Sequence, residues 1–552
     1  YQGTYFWTAS AQSVQARLGN QIENSNTIQA NGNLDFTKLY NKVPYLKTIN
    51  SAPSGNRNAK AQNKGNNKGN VQDSTNVKPR VNVGKQVLDN TLRLLMLVRK
   101  ASLTYSMNNG QNLPGFLQEP NYFGMNGLSW APGVGFVLGS NEDIFQRAID
   151  NGWLTRDSIL SEPFRRNSTQ TLNYRINAEP LQNFRIDVSG NRTYAENFQE
   201  YFRANKFGEF ETFTPTNGGN FSMSYLMWNT SFTPAGKGDS NDSPLFDNLL
   251  EYRKIIAKRI AENNPQWMQN VQSYEYDSLA GDFFPWGYGS ASTEVVMYSF
   301  IAAYTGQNPN TMSLSPFPKI PLPNWTITYT GLSNVPALSK IFKSISINHS
   351  YRSSYAISSW ASNVYYNESN TIQTFENSHL IIPKYDISQM VLSEQYAPLI
   401  GFELGFQNTM TCNLQYKKSR NLAISFTNNQ LTEVNGREII IGTGYRIKDL
   451  SFKIISLTGG GKGKTVKNDL VLKVDLGFRT DKTVLRRIDE RNSQISSGQN
   501  KINIYVTADY TFSNRLSGQL FFKRDMNKPF VATSIPTTTT FAGVMLRFNL
   551  AQ

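Results

Sequence analysis

The residues with the clearest chemical pattern in this chain form the stretch TGGGKGKT, Thr458–Thr465. A phosphate-binding loop needs a glycine, four residues, then Gly-Lys-[Ser/Thr], with backbone N–H groups curled around phosphate oxygens and a helix following. Counting back from Gly463-Lys464-Thr465, the first glycine belongs at 458, where Thr458 stands instead. The flanking segments LSFKIIS and DLVLKVDLGF read as strands, so the glycines are expected to form a turn. Of the two histidines, His349 falls among Ile345, Ile347 and Tyr351 on the apolar side of an alternating run. Catalysis would need it to face water and an orienting carboxylate, so a structural role is expected. The second, His379, is too isolated to build imidazole chemistry on. A single cysteine, Cys412, excludes an intrachain disulfide framework and any thiolate metal cage. It shares the parity of Met410 and Leu414, and a buried or lipid-facing thiol is expected. No G-x-S-x-G precedes a helix, and IDERN at 488–492 reads as a solvated loop. No catalytic, cofactor-binding or metal-ligating residue emerges.

Composition says what kind of surface these residues sit on. Charged residues are 17% of the 552, against about 25% in an ordinary soluble domain. The apolar fraction, 39%, does not compensate. Aromatic and β-branched residues are too plentiful for disorder. Few charges, many small polar residues and many aromatics suit a surface shared between lipid and water. The net charge of +15 is carried mostly in loops and at strand ends, without a basic stripe interleaved with stacking aromatics, so no nucleic-acid partner is expected. The longest apolar run, Val295 to Tyr304, is shorter than the roughly 18 residues of a membrane helix. Tyr1 is not a start methionine, and the chain is expected to begin at a processed or internal point.

From Trp325 onward the period is two. Ile345, Ile347, Tyr351, Tyr355 and Ile357 oppose Ser344, Ser346, Asn348, Arg352 and Ser354. Ile504, Val506, Ala508, Tyr510 and Phe512 oppose Asn503, Thr507, Asp509 and Thr511, and the last strand sets Ala542, Val544, Leu546, Phe548 and Leu550 against Arg547 and Asn549. Successive strand residues point to opposite faces, so each segment has a greasy side and a wet side. Soluble sandwiches also alternate. Three features separate this chain from them: segments near the nine to eleven residues of a membrane strand, mid-strand charge on the wet side at Lys473 and Asp475, and tight turns alternating with long loops. The fold expected is all-β: a transmembrane antiparallel β-barrel of roughly 16 to 18 strands, part of a very large barrel wall, with a small helical insertion near 243–305. With the C-terminus on the periplasmic side, Ser513-Asn514 is expected in a periplasmic turn, 481–500 outside, and 458–468 at the periplasmic rim.

Three regions follow. Residues 1–232 are expected to supply N-terminal strands, including a hairpin turning near Pro180. They also hold a long loop at 51–85 with seven basic residues and one acid, read as external and able to meet lipopolysaccharide phosphates or simply solvated. Residues 233–320 are a loop insertion: Ser243-Pro244 reads as a helix start, followed by Leu245, Leu249, Tyr252, Ile256 and Ile260 at helical spacing. That helix either gates a pore, docks a partner, or packs on aromatics such as Trp267 and Trp286. Residues 321–552 carry the C-terminal strands.

Several long strings, among them YKKSRNLAISFTNNQLTEVNGREIIIGTGYRIKD, KNDLVLKVDLGFRTDKTVLRRID, FFKRDMNKPFVATSIPTTTTFAGVMLRFNL, RLGNQIENSNTIQANGNLDFTKLYNKVPYL and PGVGFVLGS, resemble the SprA (Sov) family, the outer-membrane translocon of the type IX secretion system of Bacteroidota, which serves gliding motility in relatives. The likeness spans most of the chain and points to the C-terminal portion of that family. It implies passage of folded cargo proteins from periplasm to cell surface, with no catalytic residues and no cofactor. The partners it implies are the N-terminal remainder of the same barrel, a PorV-like barrel at a lateral opening, a periplasmic plug protein, secreted cargo, and outer-membrane lipid. Left open are a self-contained porin or receptor, an outer-membrane hydrolase using His349 or His379 beside an acid, and a surface adhesin or motility component.

Overall fold

The computed structural model describes residues 1–11, 17–51, 91–92, 95–234, 241–376, 378–454, 464–513, 515–531 and 534–548. The alternating segments become strands β1 (Gln2–Thr8), β2 (Asn20–Asp35), β3 (Val98–Phe116), β4 (Phe164–Leu181), β5 (Phe184–Ala204) and β6 (Phe210–Ser224). A small hairpin, β7 (Tyr274–Asp277) and β8 (Asp282–Pro285), stands apart. The remainder are β9 (Asn324–Tyr329), β10 (Phe342–Ser362), β11 (Tyr385–Phe406), β12 (Met410–Ser425), β13 (Gln430–Ile454), β14 (Lys464–Arg487), β15 (Asn492–Ser513), β16 (Leu516–Pro529) and β17 (Thr537–Phe548). All except the hairpin form one antiparallel sheet of 15 strands, in chain order from β1 to β17. β1 pairs only with β2 and β17 only with β16, so the sheet is an open path with two free edges among the described residues.

One lane of the sheet is built from two pieces. β6 lies between β5 and β10, with Met223 opposite Arg192 and Tyr355. β9 continues the same lane, with Trp325 opposite Val188 and Tyr351. The chain therefore leaves the wall after Ser224 and re-enters it at Asn324. The splice is held by Ser224 Oγ donating to Leu322 O (2.6 Å) and Asn324 Oδ1 accepting from the Ser353 N–H (2.7 Å).

Between those points the insertion folds into helices α2 (Pro244–Asn263), α3 (Pro265–Asn270) and α4 (Thr293–Thr305), counting as α1 the Ile144–Asp150 helix of the β3–β4 connection. Ser243 does occupy the N-cap of α2 with Pro244 behind it, although its side chain makes no capping bond. The apolar run Val295–Tyr304 is α4, which is buried on every side, as a helix hydrophobic all round must be. It packs on α2 and on Tyr355, Ile357, Met390, Leu392, Leu422 and Leu431 of the sheet. Trp267 is buried in a satellite core with Tyr288 and Ile381, so α3 packs on the insertion's own aromatics.

The strands are longer than the alternation alone indicates. β13 and β14 run 25 and 24 residues, about 80 Å at roughly 3.3 Å per residue, where about ten tilted residues cross a bilayer. The segment 481–500 is thus not an outside loop: only 488–491 turns, and the rest is ladder. Likewise Arg524–Pro529 belongs to β16 rather than to a loop. Polar residues there pair through their backbones, which side-chain alternation cannot reveal. The 51–85 loop falls almost wholly outside the described residues. Its anchoring strand ends, Asp35 and Val98, lie beside Ala178, at the same end of the sheet as the Leu181–Phe184 turn.

Glu294, in the first turn of α4, lies beside Tyr288 and Tyr298, and burial pushes its carboxyl up to about 7. Between the ordinary carboxylate range and pH 7 the folded protein holds a proton that the unfolded chain releases, so stability falls as pH rises across that window. Glu294→Gln should flatten this dependence and gain on the order of 1 kcal/mol above pH 7, read from thermal melts at several pH values. Phe300 is fully buried in α4. Phe300→Ala should cost about 3–5 kcal/mol and expose the insertion to limited proteolysis while the strands stay protected.

Candidate conduit wall

Register fixes which side chains share a face, and the two faces are chemically opposite. On one, successive rungs across β12–β15 read Tyr416–Ile439–Phe478–Ile502, Leu414–Ile441–Leu476–Ile504 and Cys412–Thr443–Val474–Val506. The same face carries Tyr105–Leu172 and Leu103–Tyr174 on β3 and β4, and Leu520–Val544 on β16 and β17. The other face reads Asn413–Gly442–Asp475–Tyr505 and Thr411–Gly444–Lys473–Thr507, and on β3–β5 Thr104–Asn173–Asn191 and Ser106–Thr171–Thr193. Lys473 and Asp475 thus stand on the wet face, as their parity indicates.

The apolar band is left bare by the protein. Leu103, Ile439, Phe478 and Leu520 are each 42–56% exposed. A continuous apolar belt of this breadth does not face water on a soluble protein. Aromatic pairs border it on both sides. At the tight-turn end stand Phe184 with Tyr329 and Phe342 with Phe406, centroids 5.8 and 4.8 Å apart. At the other border Trp325 stacks on Tyr351 at 4.4 Å, with Trp228 5.4 Å from Trp325. Aromatic girdles flanking an outward apolar band are the surface of a membrane β-barrel. Among the described residues, the charged side chains on these rungs are Arg524, opposite Ile504, and Arg192, opposite Leu172 and donating to Pro318 O (2.9 Å). No described helix is long and apolar enough to cross a membrane; strands do the crossing.

The opposite face is built for water. Ion pairs Lys417–Glu438 (3.8 Å), Arg479–Asp481 (2.7 Å) and Lys523–Asp525 (3.1 Å) run along it. Such exposed pairs add little stability; they keep the wall hydrated and of mixed sign. Gly442 keeps it low: a Cβ there would meet Asp475 Oδ1 at 2.7 Å.

Beyond the band the apolar face changes solvent from lipid to protein, because the insertion covers it. Two buried ion pairs anchor that cover. Arg420 pairs with Glu394 (3.2 Å) and donates to Thr230 O and Oγ1. Glu394 also accepts from Tyr351 (3.1 Å) and Ser231 hydroxyls. Arg486 pairs with Glu433 (2.9 Å) and donates to Asn241 O (2.8 Å). Nothing in the linear sequence couples these residues, since the partners come from separate strands and from the insertion. A shorter connection does the same over β2–β4: Asn24 donates to Phe136 O and Ser140 O, above a core holding Phe136, Phe145 of α1 and Phe164.

The residues that chemistry singles out fall elsewhere. Thr458–Gly463 lie outside the described residues, but Lys464 and Thr465 open β14, with Lys464 opposite Ile454, so no helix follows the lysine. His349 is locked between Leu399 O (2.6 Å from Nδ1) and the Trp325 indole N–H (3.2 Å from Nε2), the neutral tautomer donating through Nδ1. His379 is exposed, its Nδ1 3.1 Å from the Glu275 carboxylate, and it lies on a different segment from His349. Cys412 sits in the band opposite Leu404. In 488–492, Ile488 is buried while Asp489 to Arg491 form the turn. Among the described residues no cluster of three His, Cys, Asp or Glu is placed to hold a metal.

No family model matches the chain, and no curated protein matches it. Among solved structures the chain is similar to one from the RagAB peptide transporter (8% identity, TM-score 0.24, covering 78% of this chain and 45% of that one). It is also similar to the ferric-catecholate import receptor Fiu from E. coli K12 in its open form (8% identity, TM-score 0.18, covering 81% of this chain and 55% of that one). The chain spans about half the length of the solved chains it matches.

Arg420→Met should leave Glu394 as an uncompensated buried charge, at about 3–5 kcal/mol. Arg420→Met/Glu394→Met should recover most of that loss. Denaturation of the two variants, followed by Trp228 and Trp325 fluorescence, checks both.

Proposed function

We propose that this chain is part of the wall of an outer-membrane β-barrel whose polar face lines an aqueous conduit. We further propose that the conduit passes folded proteins from periplasm to cell surface, as the resemblance to the type IX translocon implies. The observation that carries the reading is a membrane-crossing sheet of 15 strands with two chemically opposite faces and, among the described residues, a strand-pairing edge free at each side. An open sheet edge in hydrocarbon strands its N–H and C=O groups, so each edge takes a further strand. We assign those strands to the rest of the same barrel. Because barrel circumference grows with strand number, further strands at the two edges widen the bore beyond that of these 15 alone. A PorV-like barrel, a periplasmic plug and secreted cargo are the partners this reading carries over from the resemblance. Transport without a covalent step is proposed. A self-contained porin or receptor would instead close β1 against β17.

In a Cys412→Ser background, Lys473→Cys and Asp475→Cys should react with a charged, water-soluble maleimide, and Ile439→Cys and Phe478→Cys only with a lipid-soluble one. Conjugating a bulky adduct at Asp475→Cys should slow export of a folded reporter, while the same adduct at Phe478→Cys should not. Equal export from both would defeat the conduit assignment. A β1–β17 disulfide that forms in the native membrane would favour the self-closed barrel.

A further inference from the structure

The rung that borders the apolar band on its outward side carries a row of cations facing the lipid. Across β11–β16 it reads Tyr396, Lys418, Arg437, Thr480, Asn500 and Lys528. Immediately below it on the same face lie Ile439, Phe478, Ile502 and Met526. The nearest acids on that face, Glu394 and Glu433, are each neutralised by a buried arginine. Lys418 is held by Ser231 O and by the face of Phe232, 4.5 Å away. Arg437 and Lys528 are exposed, with no hydrogen bond or ion pair to the described residues. Thr480 and Asn500 fill the positions between them and are exposed as well.

Resting on the membrane reading above, we propose that this row binds the phosphates of a bisphosphorylated glycolipid in the outer leaflet, its acyl chains lying on the band below. The level fits, because the row stands at the edge of the hydrocarbon where headgroup phosphates lie. The leaflet fits, because the long connections 117–163, 225–323 and 363–384 leave the sheet at the row's end, and the longer loops of such barrels lie on the extracellular side. The span fits too. Arg437 and Lys528 are three strands apart, about 14 Å at the usual interstrand spacing. A disaccharide headgroup with a phosphate on each sugar bridges several strands, whereas a phospholipid offers one phosphate. Thr480 donates its hydroxyl to Asn500 Oδ1 (2.8 Å), which turns the Asn500 amide nitrogen outward as a neutral donor between the two cations.

Native mass spectrometry of the full chain in detergent tests this with three probes: bisphosphorylated lipid A, the same lipid after phosphatase treatment, and phosphatidylglycerol. The wild type should retain the first over both others. Arg437→Gln/Lys528→Gln should weaken that retention about thirtyfold, near fivefold for each cation at the edge of a membrane. Both positions are solvent-exposed, so folding should be unaffected. Equal retention of the phosphatase-treated lipid, or no loss in the double variant, would overturn the proposal. Equal retention of phosphatidylglycerol would overturn its assignment to a glycolipid. Maleimide labelling at Phe478→Cys, run on the same preparations, separates these failures from failure of the membrane reading, which alone would make that position water-accessible.

Discussion

In hydrocarbon there is no water to satisfy a backbone N–H or C=O, and each group left unpaired costs several kcal/mol. Every large-scale feature of this chain obeys that constraint. The sheet is antiparallel with neighbours in chain order, so every strand between β1 and β17 in it is paired on both sides. Among the described residues, the one lane built from two segments is spliced where the constraint relaxes. β6 gives way to β9 at the level of Ser224 and Asn324, beside the aromatic border and not inside the band. A chain leaving the ladder among Ile347, Phe402 and Leu414 would strand its backbone in lipid. Leaving at the border, it pairs with Ser353 and finds Tyr351 and Glu394 waiting for its polar groups.

A single sheet face thereby serves two solvents. Below the border, Ile439 and Phe478 meet lipid; above it, Leu422, Leu431 and Val484 on the same side are sealed under α2 and α4. The junction carries the charges. Glu394 with Arg420 and Glu433 with Arg486 are costly to bury, and each is retained with additional hydrogen bonds from the insertion. Pairs of this kind contribute less to net stability than to placement. An apolar seam would let the helices slide along a greasy wall, whereas Thr230, Ser231 and Asn241 tie the insertion to one register.

The polar face shows the complementary logic. Its ion pairs are exposed and its glycines sit where neighbouring side chains lean across. Mixed charge, low relief and hydration are properties of a surface that things move past. The same reasoning explains the quiet roles of the residues that chemistry first singles out. His349 spends both ring nitrogens on fixed partners at the membrane border, and Cys412 is one more apolar rung.

The two-residue period is a local consequence of strand geometry, so the linear sequence alone determined which residues share a face. Ile345 with Ile347 and Tyr351, Met410 with Cys412 and Leu414, and Lys473 with Asp475 all fall where their parity puts them. The helix after Ser243 was equally legible, because capping and 3.6-residue spacing are also local. Strand length was not. Asp481–Asn500 lacks alternation, yet it pairs rung by rung through backbone groups that are the same in every residue. Nor could parity say that Tyr355 and Ile357 face protein while Ile347 faces the band, since all three lie on one greasy row. Which solvent covers each stretch depends on where a distant insertion leaves the sheet and on ion pairs joining residues far apart in the chain, and only the folded arrangement brings those together.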